Sequence, residues 1–106
     1  MKISYICSPF RAETEEQKQK HVDYARKLLK DMLLFNNITI APHLLYTQIL
    51  DDSNKKDRDF AMRLCRGWVS RANTIVVGCR YGISEGMKQE IALAEKLGKK
   101  IIYLEE

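Results

Sequence analysis

The run Thr74-Ile75-Val76-Val77-Gly78 constrains the fold more than any other segment of the chain. It is continuous, rich in β-branched residues and free of polar alternation. That is the pattern of a strand covered on both faces, as at the centre of a parallel sheet. Such a strand needs helices on either side, and helical patterns flank it in both directions.

Residues 2–7 predict a first strand, closed by Ser8-Pro9-Phe10 because proline disfavours continuation. A long helix is expected from about Glu13 to Phe35. Its first turn is acidic (Glu13, Glu15, Glu16), its apolar stripe runs Val22, Ala25, Leu28, Leu29, Met32, Phe35, and Asn36-Asn37 stops it. Ile38-Thr39-Ile40-Ala41 predicts a second strand ended by Pro42-His43. Leu44 to Leu50 suits a brief helix, and the stretch from Asp51 to Lys56 is a polar loop. A second main helix is expected over Asp57 to Ala72, with Phe60, Ala61, Leu64, Trp68 and Ala72 inward. A third runs from Ser84 to Gly98, and Lys100 to Leu104 is a last strand.

This order predicts an α/β fold. The expected architecture is a three-layer sandwich, a flavodoxin/Rossmann-like parallel sheet of four to five strands with helices on both faces and right-handed crossovers. One domain over residues 1–106 is the size at which a single core suffices. There is no internal repeat.

Composition narrows the function classes. No apolar run approaches the ~20 residues that span a bilayer, and the N-terminus opens on a strand pattern rather than a secretory signal. No membrane association is expected, and the cytoplasm is the default location. Cys7, Cys65 and Cys79 are scattered, odd in number and without C-x-x-C spacing, which favours buried thiols over a disulfide framework or zinc site. Two separated histidines, His21 and His43, do not suggest a metal cluster. The net charge is +4, and the lysines are spread over several surfaces. Without a basic stripe interleaved with aromatics, a nucleic-acid polymer is not the expected partner; an anionic small molecule is easier to accommodate.

The sharpest chemical signal is Glu90. At about 100° per residue, Met87, Ile91, Leu93, Ala94 and Leu97 share one broad arc of the third helix, and Glu90 falls inside it. An unpaired carboxylate on a core face is costly, so it normally has a partner or a task. The bland reading is a salt bridge to Arg11, Arg63 or Arg80. In open parallel sheets, ligands sit beyond the carboxyl ends of the strands. That edge gathers Ser8, Phe10, Arg11, His43, Gly78, Ser84, Gly86 and Met87, the candidate substrate-binding residues. Ser84 is placed to cap the helix, and the same N-terminus suits a phosphate or carboxylate. Gly86 permits close packing or a close ligand approach. Asp57 and Asp59 open the second main helix, where acids favour the dipole; Asp57 also suits a sugar hydroxyl. Neither G-x-G-x-x-G nor a P-loop is present. Tyr5 alternates into the core, and His21 has no evident partner.

Ser8-Pro9-Phe10-Arg11 after the first strand, Pro42-His43-Leu44 after the second, Val77-Gly78 ending the third, and Ser84-x-Gly86-Met87-x-x-Glu90 opening a helix form an ordered set. Together they resemble the nucleoside 2-deoxyribosyltransferase-like superfamily, in particular its small bacterial and phage branch of domains of unknown function. The resemblance spans nearly the whole chain. It implies that Glu90 is the nucleophile attacking C1′ of a 2′-deoxynucleoside or its 5′-monophosphate. It implies that Ser84 holds the 5′ end, serine rather than aspartate leaning toward a phosphorylated ligand. Asp57 takes the place of the acid that assists sugar or base binding, and Asn73 stands where relatives often carry aspartate. Ser8-Pro9-Phe10-Arg11 replaces the glycine-rich first loop of the nucleotide hydrolases. The resemblance further implies no cofactor, no metal, and a homodimer or higher homo-oligomer whose sites are completed by a neighbouring subunit. The expected activity is that of an N-glycosidase or 2-deoxyribosyltransferase. The alternatives are a non-catalytic nucleotide-binding or sensing module of the same fold and, more weakly, a structural dimer module.

Overall fold

A computed structural model describes residues 2–35, 37–51 and 53–105. Four strands, β1 (Ile3–Cys7), β2 (Ile38–Ile40), β3 (Thr74–Gly78) and β4 (Lys100–Leu104), form one parallel sheet in the order β2-β1-β3-β4. Four helices connect them: α1 (Glu15–Leu33), α2 (Pro42–Tyr46), α3 (Lys55–Arg71) and α4 (Glu85–Lys96). The α/β sandwich and its parallel sheet are as expected, with four strands. The β-branched run is a wholly buried inner strand.

Side-chain alternation divides the core in two. Ile6 of β1 and Val76 of β3 face α1 and pack with its Tyr24 and Leu28. Tyr5, Cys7, Ile75 and Val77 face the other way, against Cys65 and Val69 of α3 and Met87, Ile91 and Ala94 of α4. Each apolar side chain so buried contributes roughly 1.5–3 kcal/mol. On the second face α3 packs against both α2 and α4, so three helices lean together over one end of the sheet.

Local chemistry sets the helix ends. Thr14 caps α1 by accepting from Gln17 N–H, and Asn54 caps α3 by accepting from Lys56 and Asp57 N–H. The second helix therefore begins two residues before the expected Asp57. Pro42 does not merely end β2; it occupies the first turn of α2, where its missing N–H costs nothing. That helix covers Pro42–Tyr46 rather than Leu44 to Leu50. At its far end α4 stops in a Schellman motif. Gly98 adopts φ +69°, its N–H bonds Glu95 O, and Lys99 N–H bonds Ala94 O. Asn73 serves the fold: its side-chain oxygen accepts from Ile3 N–H at 2.8 Å, and its own N–H donates to Ile3 O.

Three expected core residues are not core. Phe35, Phe60 and Leu97 are 76%, 44% and 45% exposed. Phe35 lies beyond the last turn of α1, Phe60 points away from the sheet under the Arg63 guanidinium, and Leu97 is the C-cap of α4. Ala72, at the C-cap of α3, is buried as expected, and Cys65 and Val69 form the buried inner face of the helix. Asn36, expected to stop α1, and Asp52 of the polar loop lie outside the described residues.

Candidate active site

In a parallel sheet whose helices run antiparallel to the strands, the N-termini of α2, α3 and α4 meet beyond the carboxyl ends of the strands. A cavity of about 420 Å³ opens there, a size suited to a small-molecule ligand. Its floor is Tyr5, Cys65 and Glu90. One wall is the loop after β1, with Ser8, Phe10 and Arg11; another is α2, with His43, Tyr46 and Thr47. Arg58, Asp59, Ala61 and Met62 of α3 form a third, and Ser84, Glu85, Gly86, Met87 and Gln89 the fourth.

Glu90 is half-buried at the foot of this cavity. No arginine salt bridge holds it among the described residues. The Tyr5 hydroxyl donates to Glu90 Oε1 at 2.8 Å. Burial pushes the Glu90 carboxyl up to about 7, against the opposing pull of the Tyr5 hydroxyl, the Cys7 thiol and the Arg66 charge. The Tyr5 phenol is driven far above its ordinary value by its own burial and by the nearby carboxylate. Burial also raises the Cys65 thiol to about 11, so this floor thiol stays protonated. Glu90 is therefore poised to change charge near neutrality inside an enclosed, mostly apolar foot.

At the mouth, Ser84 caps α4. Its Oγ accepts from Met87 N–H at 3.3 Å, and its own N–H points to the Met87 sulfur at 3.5 Å. The capping and ligand roles expected of Ser84 share one location. Glu85 and Gly86 N–H groups sit in the first turn, where no intrahelical acceptor exists. A Cβ on Gly86 would meet nothing within 4 Å, so the cavity reaches the backbone there. Glu85 is turned outward onto Lys88 at 3.2 Å.

Across the cavity, Ser8 Oγ and His43 Nε2 lie 3.1 Å apart, with the Phe10 ring edge-on to the imidazole at 6.1 Å. Burial lowers His43 to about 4, leaving it neutral near pH 7. The Trp68 indole N–H donates to the Tyr46 hydroxyl at 2.8 Å, tying the α2 wall to α3. His21, with no partner evident from the sequence, faces the Phe10 carbonyl at 3.4 Å and meets the Tyr81 ring at a tilt, with centroids 5.3 Å apart.

Eight of the ten sequence-derived site residues line this one cavity: Ser8, Phe10, Arg11, His43, Ser84, Gly86, Met87 and Glu90. Two do not. Asp57 turns its carboxylate back to accept from Asp51 N–H at 2.9 Å, bracing the turn before α3. Gly78 lies on the α1 face, where a Cβ would meet Leu28 Cδ1 at 2.5 Å and the Tyr24 hydroxyl at 2.8 Å. Its need for glycine is packing. Sequence reasoning missed Tyr5, Tyr46, Cys65, Arg58 and Asp59 as cavity residues. For Tyr5 a signal existed: it precedes the first loop by three positions on the same strand face as Cys7.

The four-stranded parallel sheet thus carries its cleft at the carboxyl edge, with a carboxylate one and a half turns inside the helix after β3. The chain belongs to the DUF7768 family, a domain of unknown function, which matches residues 2–104. No curated protein is matched by sequence. Among solved structures, it is similar to the 2-deoxyribosyltransferase from the psychrotolerant bacterium Bacillus psychrosaccharolyticus. The TM-score is 0.63 at 21% identity, over 95% of this chain and 70% of that one. It is also similar to the 2-desoxiribosyltransferase from Leishmania mexicana, with TM-score 0.54 and 15% identity, over 98% of this chain and 64% of that one. At these identities the likeness is one of fold.

Proposed function

We propose that this protein cleaves the N-glycosidic bond of a (deoxy)nucleoside or nucleoside 5′-monophosphate, as an N-glycosidase or 2-deoxyribosyltransferase, with the Glu90 carboxylate as nucleophile. The observation that carries this reading is the Tyr5–Glu90 pair on the cavity floor. Breaking a glycosidic bond passes through an oxocarbenium-like state, and a carboxylate beside C1′ stabilises or captures the positive carbon. In a shielded site that attraction exceeds its value in water. The α4 N-terminus, with Ser84 and the free Glu85 and Gly86 N–H groups, would take the 5′ group. Ser84 precedes Glu90 by six residues, roughly 9 Å along the helix, a gap that a sugar phosphate and its contacts at either end can bridge.

The remaining candidates take supporting roles. Arg11 supplies positive charge at the mouth. Neutral His43, its Nε2 engaged by Ser8, offers Nδ1 to the ligand, and Phe10 and Met87 offer apolar contact. Asp57, bound to the Asp51 backbone, is assigned to the turn rather than to substrate. The protein is proposed to act in the cytoplasm as a homodimer or higher homo-oligomer. Exposed Leu45, Ile49 and Phe60 supply apolar surface for such association.

Base release separates the activity from its rival. Incubation with deoxynucleosides and their 5′-monophosphates should liberate free base with the wild type and none with Glu90→Ala, while that variant still binds the ligand. Full activity of Glu90→Ala would refute the assignment. The rival is a non-catalytic nucleotide-sensing module. The raised Glu90 favours it in one respect, because a protonated carboxyl can donate to a ligand hydroxyl but cannot attack C1′. That module binds nucleotide without turnover.

A further inference from the structure

Two guanidinium groups line the cavity without a carboxylate partner among the described residues, Arg11 at the mouth and Arg58 on α3. The cavity's other charged side chains are largely accounted for. Asp59 faces Lys55 at 3.3 Å, Glu85 faces Lys88, and Glu90 holds the floor with Tyr5. Arg58 is half-buried and also borders the small recess between α2 and α3, beside Tyr46 and Thr47. It is therefore on the α2 side of the cavity, away from the α4 N-terminus. Arg58, Met62 and Cys65 recur at helical spacing on one face of α3, running from the mouth to the floor. Arg58 stands seven residues before Cys65, roughly 10 Å along the axis.

This placement fixes which part of a ligand Arg58 can meet. If C1′ lies against Glu90 and the 5′ group lies at the α4 N-terminus, the base must extend along α3 toward α2. A guanidinium is a donor-only fork that is always charged, so it recognises an edge with two adjacent acceptors and is unpaired or repelled by an amino group. On a purine, O6 and N7 of guanine or hypoxanthine form that edge; adenine presents N7 beside an N6 amino donor.

We propose that Arg58 is the specificity-determining residue of this site and selects a 6-oxopurine base through its O6/N7 edge. This rests on the glycosidic reading above and deepens it. The same contact serves the bond-breaking step. As the C1′–N9 bond breaks, its electron pair passes to the base and the Glu90 carboxylate bonds C1′. The negative charge on the departing purine spreads to N7 and O6, where the fixed guanidinium stabilises it. Water gives the proton that completes the free base. The hydroxide so formed attacks C1′ of the Glu90 ester, releasing the sugar phosphate and restoring the carboxylate. Neutral His43 and lysine-facing Asp59 need supply no proton.

The test compares the deoxynucleoside 5′-monophosphates of guanine, hypoxanthine, adenine and cytosine on the wild type, Arg58→Met and Arg58→Lys. The wild type should favour guanine and hypoxanthine over adenine by roughly ten- to hundredfold in kcat/KM. Arg58→Met should lose that advantage, its guanine and hypoxanthine rates falling roughly ten- to hundredfold further than its adenine rate. Arg58→Lys should recover only part, because an ammonium keeps the charge and loses the fork. An adenine preference, an Arg58-dependent cytosine preference, or an equal loss on all four substrates would overturn the proposal. Should the wild type release no base from any of them, the glycosidic reading fails on its own. Calorimetric affinities for the same four nucleotides then decide Arg58: the guanine preference and its loss in Arg58→Met support it, and equal guanine and adenine affinities overturn it.

Discussion

The Tyr5 hydroxyl donates to Glu90 Oε1 at 2.8 Å across 85 residues of sequence, joining the inner strand β1 to the helix after β3. One bond thus ties the sheet to the carboxylate on the cavity floor. Its effect is electrostatic: it stabilises the ionised carboxylate and keeps burial from pushing Glu90 higher still.

Removing that hydroxyl should therefore show in a pH profile more than in the fold. Tyr5→Phe keeps the ring in the core and deletes one donor, costing about 1 kcal/mol of stability. The acid limb of the rate profile should move upward by roughly one pH unit, with the rate near pH 7 falling by up to about tenfold. An unmoved limb in a folded Tyr5→Phe protein would separate the two residues functionally.

The raised Glu90 makes a signed statement about stability. Its folded value, about 7, exceeds the ordinary 4.5. Its contribution is therefore fully present below pH 4.5 and is lost as pH rises through 7. Glu90→Gln removes the charge while keeping the shape. It should raise Tm relative to the wild type at pH 8, by an amount worth roughly 1–3 kcal/mol, and by much less at pH 5. Thermal melts at both values check this.

His43 carries the opposite sign. Burial lowers it to about 4 from an ordinary 6.5. Stability should fall as pH drops from 6.5 toward 4, because the folded state resists the proton that the unfolded chain accepts. His43→Gln should flatten that slope in urea titrations taken across this range.

Gly78 is expected to matter to the fold and not to the chemistry. An alanine Cβ there would press on Leu28 and Tyr24 of α1, opposite the cavity. Gly78→Ala should cost about 1–3 kcal/mol through overpacking, with ligand affinity per folded molecule unchanged.

The fold was legible where periodicity was strong. The β-branched run of β3 and the arc of Met87, Ile91 and Ala94 on α4 needed only burial to fix their place. Glu90 stood out because its carboxylate interrupts that arc. Helix ends were less legible, since Asn54 and Thr14 cap through side-chain bonds that run against the hydrophobic pattern. Gly78 and Asp57 misled for a shared reason: a glycine or an acid at a strand or helix end looks the same whether it serves packing, backbone or ligand. Only the alternation of β3, which turns Gly78 toward α1, distinguishes them. Arg58 and Cys65 had no sequence signal, because their membership of the cavity follows from how α3 tilts against α2 and α4.

The most direct measurement is the intact mass of the protein after acid quenching during turnover of a deoxynucleoside 5′-monophosphate, followed by peptide mapping. An ester between C1′ of the sugar phosphate and the α4 peptide at Glu90 is the predicted result, absent in Glu90→Gln. Free base accumulating at the wild-type rate in Glu90→Gln, or a sugar adduct mapped to any other residue, would contradict the account.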